Sequence, residues 1–269
     1  MTNTEMLSLS QAACQVLGEP SPTDKVRLTN EVAENWHTGL IKEIGTTLPA
    51  NRPARPGKPE LLDPHDVPTR KAKGTKGRLA LMHAIAHIEL NAIDLAWDII
   101  ARFTALDLPR EFYDDWIGVA VDEARHFGLL ADYLSEHDAA YGDLPAHDGL
   151  WEAAEDTAHD LLARLAIVPL VLEARGLDAT PPTIKKLRQA GDEQAADILQ
   201  TIAAEEIAHV AAGVRWFEYL CTEQNIEPTK TYQALVKKHF KGQLKPPFAT
   251  EARELAGFSA AYYEPIAAS

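Results

Sequence analysis

From Leu79 to Leu220 the apolar residues recur with a helical period of three to four, and strand-like alternation is sparse. The period predicts four long helices, at about 79–106, 110–137, 149–176 and 193–222. The first connection, Asp107-Leu108-Pro109, is short enough to make the first two helices an antiparallel hairpin. A longer stretch, Asp138 to Asp148 with Gly142, Pro145 and the adjoining Gly149, joins the two halves. Thr180-Pro181-Pro182 predicts a break, with a short helix from Thr183 to Ala190 ahead of the fourth long one. Upstream, residues 5–48 read as helical segments interrupted by Pro20-Ser21-Pro22, with Asp24 as the expected cap of the segment after the break. Six prolines between Pro49 and Pro68 predict an extended linker that wraps a surface. Beyond Glu227-Pro228 a helical tail carrying Lys237, Lys238, Lys241 and Lys245 meets a Pro246-Pro247 break. It ends on Phe258, Tyr262 and Tyr263, a pattern that suits packing. The expected organisation is an all-α chain: an extension and linker at 1–78, a four-helix bundle at 79–222, and a tail at 223–269 packed on the bundle.

Composition narrows the chemistry. Apolar residues make up 46% and charged residues 25% of 269, which is ordinary for a globular chain. A formal charge of −14 disfavours a general nucleic-acid or anionic-membrane binder. No uninterrupted apolar run approaches the roughly 20 residues of a membrane span. The first 18 residues lack a basic cluster ahead of an apolar block, so no secretion signal is expected and the cytoplasm is the expected location. Cys14 and Cys221 are too few for a disulfide framework or a zinc site. Arg70 to Arg78 holds five cations in nine residues; a solvated loop before a helix is the preferred reading, an anion or substrate contact the other.

Glu-x-x-His occurs three times: Glu34 with His37, Glu123 with His126, and Glu206 with His209. The spacing sets a carboxylate and an imidazole one turn apart on one face, where both can reach a single metal ion. Neighbours on the face discriminate among the three. Glu34 keeps company with Arg27, Asn30, Glu31 and Thr38, a solvated face. Glu123 sits among Trp116, Val119, Ala120, Phe127 and Leu130, and Glu206 among Leu199, Ile202, Ala203, Val210 and Gly213. The same test picks Glu89, among Met82, Ile85, Ala86 and Ile93, and Glu173, among Ala166, Pro169, Leu170 and Leu177. Four buried carboxylates are costly unless compensated, and two divalent cations would neutralise them with two neutral imidazoles completing the shell. Glu89 precedes Glu123 by 34 residues and Glu173 precedes Glu206 by 33, as if one helix hairpin were used twice. Glu173 lies just before Gly176 and the Pro181-Pro182 break, so its helix is expected to end or kink there, and Pro169 to open a local bulge. His83 and His87 are rotated away from the Glu89 face and read as packing histidines, with a further ligand or proton relay as the sharper alternative. Tyr133, Tyr219 and Trp97 read as packing aromatics.

One Glu on each of two helices with Glu-x-x-His on the other two resembles the ferritin-like di-iron or di-manganese carboxylate superfamily. Asp122-Glu123-Ala124-Arg125-His126 is similar to the run found in its oxygen-activating members. Lys245-Pro246-Pro247-Phe248, Glu251-Ala252-Arg253 and Ala256-Gly257-Phe258, with Glu173-Ala174-Arg175-Gly176-Leu177-Asp178, resemble bacterial ferritin-like proteins catalogued only as a domain of unknown function. The resemblance implies a ferritin-like four-helix bundle whose metal ligands are Glu89, Glu123, His126, Glu173, Glu206 and His209. It implies further that Asp122 orients His209 and Glu205 orients His126. Two iron ions are the first expectation and manganese the second, because oxygen and imidazole donors suit both. The implied activity is an oxygenase or hydroxylase using O2 or peroxide, a small organic substrate and an external electron donor. A homodimer is the oligomer suggested by analogy. Ferroxidase or iron handling, manganese-dependent peroxide removal and hydroxylation of modified transfer RNA stay open as alternatives.

Overall fold

The computed structural model describes residues 7–68, 70 and 74–268. The fold is all-α, a helical bundle in class. The chain clusters into two compact units: the described residues of Met1–Thr69 and Leu79–Asp148, and those of Arg70–Arg78 and Gly149–Ser269.

In the first unit, α1 (Leu9–Leu17) begins with a reciprocal cap in which Ser8 and Gln11 each satisfy the other's backbone N–H. α2 (Pro22–His37) starts on Ser21, whose hydroxyl accepts from the Asp24 backbone N at 3.3 Å, with Pro22 in the first turn. Asp24 is therefore a first-turn acid and not the cap. Residues 38–48, expected to be helical, run as irregular chain. Their backbone serves α1 instead: Glu43 O accepts from Leu9 N and Ile44 O from Ser10 N, both at 2.8 Å. Gly45 sits at φ +74°, where a Cβ would collide with Ser8.

α3 (Gly74–Arg102) and α4 (Arg110–Glu136) are the long helices of this unit. α3 starts several residues before the expected boundary at 79, taking Gly74 to Arg78 out of the expected loop, while Lys71, Ala72 and Lys73 lie outside the described residues. By length and composition α3 can cross a membrane, with a mean hydropathy of 1.3, yet 67% of that apolar window is buried within the protein. Polar side chains interrupt it in an ordered series. Asp94 is fully buried and ion-paired to the equally buried Lys25 of α2, with the Arg55 guanidinium 3.9 Å away. Burial pushes the Asp94 carboxyl up, and the two cations pull against it. Arg55 donates to Asn91 at 2.6 Å, and Trp97 to Thr29 at 3.0 Å. The Pro-rich linker thus lies against α3. Its short strand β1 (Leu61–Leu62) pairs in parallel with β2 (Ala146–His147).

In the second unit, the third expected helix is in pieces: α5 (Gly149–Asp156), α6 (Leu161–Ile167), a π-helical segment (Val168–Glu173) and α7 (Ala174–Gln189). Asp160 caps α6 by accepting from Leu162 N at 2.9 Å and Ala163 N at 3.3 Å. Buried Arg164 bridges the break, donating to Ala154 O at 2.6 Å and to Thr157 Oγ1 at 3.0 Å. The break expected at Thr180-Pro181-Pro182 does not occur, and α7 runs through both prolines. A proline φ is compatible with a helix, and the buried face of Leu177, Ile184 and Leu187 holds α7 together across the two missing donors. α8 (Glu193–Glu223) comes next, capped by Asp192, whose carboxylate also takes Arg78 at 2.6 Å. The tail forms α9 (Pro228–His239), α10 (Thr250–Leu255) and α11 (Ala260–Tyr263), and buries Tyr232, Phe258, Tyr262 and Tyr263 within the unit.

Candidate metal centre

Each unit contains one set of the expected ligands. In the first, Glu89 lies midway along α3 and Glu123 and His126 midway along α4, with exposures of 3%, 1% and 0%. Apolar neighbours at helical spacing drive both faces inward and carry the polar groups with them. His126 Nδ1 stands 3.2 Å from Glu89 Oε2 and 3.6 Å from Glu123 Oε2. The three side chains offer ligand atoms within 4.8 Å of one another, a buried carboxylate and imidazole cluster that could hold a metal ion.

The electrostatics fit a cation. Burial alone would depress the His126 pKa, but hydrogen bonds and charge from Glu123 and Glu89 raise it to about 10. Two carboxylates in a dry pocket thus draw a positive charge into their midst, and without metal a proton on His126 supplies it. A divalent ion bound to neutral imidazole would satisfy the same demand.

In the second unit Glu206 and His209 lie one turn apart on α8, His209 Nδ1 being 3.7 Å from Glu206 Oε1, with exposures of 9% and 1%. Glu173 is half-buried and closes the π-helical segment. Pro169 stands at the segment's start, so the bulge expected from that proline is present. Gly213, one turn past His209, lets the bulge approach α8: a Cβ there would lie 2.6 Å from Pro169 Cβ. Among the described residues, Glu173 and His209 belong to no ligand cluster as tight as that around His126. Asp122 is partly exposed and pairs with Arg125 of its own helix at 3.0 Å, and Glu205 is partly exposed on α8.

The remaining candidates are structural. Glu34 and His37 are exposed. His83 Nε2 accepts from Gly142 N at 2.9 Å, which places its proton on Nδ1. His87 Nε2 faces His147 O at 3.0 Å and must donate there, leaving Nδ1 to accept from the Tyr141 hydroxyl at 2.9 Å. Burial lowers the His87 pKa to about 4, so it is a neutral pillar for the 138–148 connection. Trp97 and Tyr133 are core aromatics, Tyr133 lying 4.3 Å from the His137 ring, and Tyr219 packs edge-on to Trp216 at 5.4 Å.

Sequence reasoning missed the Lys25–Asp94 pair. Asp94 shares its helix face with His87, Asn91 and Asp98 as well as Leu90, Trp97 and Ala101, so the apolar-neighbour test that picks Glu89 passes over it although it is fully buried. The cations that compensate it, Lys25 and Arg55, lie 69 and 39 residues away in the chain.

The chain is 41% identical over 253 residues to a protein of Haemophilus influenzae (strain ATCC 51907 / DSM 11121 / KW20 / Rd) described as uncharacterized, covering 89% of this chain and 86% of that one. No solved structure matches it. The model of the family described as "Protein of unknown function (DUF455)" matches residues 18–264, and the chain belongs to that family.

Proposed function

We propose that the protein is a dinuclear-metal oxidoreductase of ferritin-like type. Glu89, Glu123, His126, Glu173, Glu206 and His209 would together hold two ions, iron first and manganese as the alternative. O2 or peroxide is the oxidant, a small organic substrate is acted on in the cytoplasm, and an external donor supplies electrons. The observation that carries this reading is the buried cluster of Glu89, Glu123 and His126, whose geometry and charge favour a cation. The second set repeats its composition, two carboxylates and one imidazole.

When bound, two adjacent metals supply two-electron reduction of O2 or peroxide. The protein's part is to fix the donors and keep the site dry. Glu89 and Glu123 provide negative charge, and His126 gives up its proton to act as a neutral donor. Trp116, Val119, Ala120 and Phe127 flank Glu123 and keep bulk water from its carboxylate. Asp122 and Glu205, each one residue ahead of a ligand Glu, are proposed to orient His209 and His126. Glu173, at the end of the π-helical turn, is the donor best placed to shift as the charge at the site changes.

The test is single-turnover O2 consumption by reduced, iron-loaded protein, with product analysis across candidate substrates. Consumption of O2 with oxygenated product supports the reading. Absence of both, with metal bound, overturns it.

A further inference from the structure

Two motifs take no part in the ligand set beyond Glu173: the run that continues to Asp178, and the tail run from Lys245 to Arg253. In the second unit they meet. Arg253, only 3% exposed, donates from Nε to Asp178 Oδ1 at 3.0 Å and from Nη2 to Asp178 Oδ2 at 2.6 Å. It also reaches Ala174 O at 3.2 Å, while Asp178 accepts from Ala249 N at 2.8 Å. The guanidinium lies 4.5 Å from the Tyr263 ring centroid and 5.1 Å from that of Phe248. Asp178 and Arg253 therefore neutralise each other and fasten the tail to α7 as a fixed floor.

Above that floor opens a cleft of about 230 Å³. Phe240, Phe248, Pro182 and Leu244 give it apolar walls. Arg175 and Lys245 stand at its rim, both exposed, and neither has a carboxylate partner among the described residues. With Asp178 already neutralised, the cleft carries two uncompensated positive charges in a chain whose formal charge is −14. Apolar walls with a few converging polar groups are the usual make-up of a small-molecule site. A guanidinium beside an ammonium selects carboxylate or phosphate oxygens.

We propose that this cleft binds a small organic anion, a carboxylate or phosphate carried on a compact apolar or aromatic body. Arg175 and Lys245 hold the anionic group, and Phe240 and Phe248 flank the body. The proposal rests on the second unit alone and requires no metal ion.

Isothermal titration of the full chain with phenyl phosphate, benzoate and neutral benzyl alcohol tests it. Phenyl phosphate or benzoate is expected to bind with a Kd on the order of 1 mM or tighter. That binding should weaken about tenfold or more in Arg175→Ala/Lys245→Ala, and also weaken as salt is raised. Benzyl alcohol should bind far less, and Ala179→Trp, at an exposed position of the cleft wall, should block every probe. A phosphate-only or benzoate-only response identifies which anion the cleft prefers and supports the proposal. No binding of either anion by the wild type at about 10 mM overturns it. So does anion binding unchanged in the double variant, or benzyl alcohol binding as tightly as the anions.

Discussion

The two candidate ligand sets have the same donor types on different backbones. Glu89, Glu123 and His126 project from the middles of two uninterrupted helices, are almost wholly buried and close on one another. Glu206 and His209 sit on a helix as regular, but Glu173, the third donor proposed for their set, ends a π-helical turn and is half-buried. A donor on a straight buried helix is fixed before any ion arrives. A donor at a register change has slack, since a π turn holds one extra residue that the next turn must absorb. On the proposed reading, the first set captures an ion and the second adjusts around one.

Variants can break that contrast. The largest difference is expected between Glu89→Gln and Glu173→Gln. The first should abolish metal binding, because it removes half the charge beside His126; the second should leave about one ion of two per chain, read by elemental analysis. Matching metal loss in both would erase the distinction between captured and adjustable donors.

Next in size is Lys25→Met, which leaves Asp94 buried beside the more distant Arg55 alone. Removing one member of a buried pair typically costs about 3–5 kcal/mol, to be read from denaturant midpoints. A loss that large would identify the Lys25–Asp94 pair as the scaffold that keeps α3 in place under Glu89.

A smaller effect is expected from Gly213→Ala, whose new methyl meets Pro169 at 2.6 Å. Overpacking of this kind costs about 1–3 kcal/mol. Because the strain falls on the π turn, metal should be lost mainly from the adjustable site. Smallest of all, Glu34→Ala and His37→Ala, on an exposed face, should shift stability by no more than about 0.5 kcal/mol and leave metal content unchanged.

Legibility in the sequence divides along the same line. α3, α4 and α8 announce themselves because their apolar positions keep the helical repeat along their length, and Glu89, Glu123 and Glu206 are buried because that repeat carries them inward. The broken third helix is harder to read. Thr157 to Asp160 holds neither glycine nor proline, and its stop depends on Asp160 capping α6 and Arg164 reaching back to Ala154. Pro181 and Pro182 mislead in the other direction, since the buried face of α7 outweighs their missing donors. Residues 38–48 lack a helix because their carbonyls are recruited by α1, a non-local demand that no window of sequence displays. Asp94 makes the same point: His87, Asn91 and Asp98 on its face disguise its burial, and the compensating Lys25 lies far away in the chain.

The central claim, that six residues hold two metal ions, is tested most directly by elemental analysis of protein purified from iron- and manganese-supplemented cells, as wild type and as Glu123→Ala/Glu206→Ala. The account predicts about two ions per wild-type chain and none in the double variant, with the metal's identity deciding between iron and manganese. A wild-type chain without metal under either supplement, or a double variant that keeps its ions while folded, would contradict it.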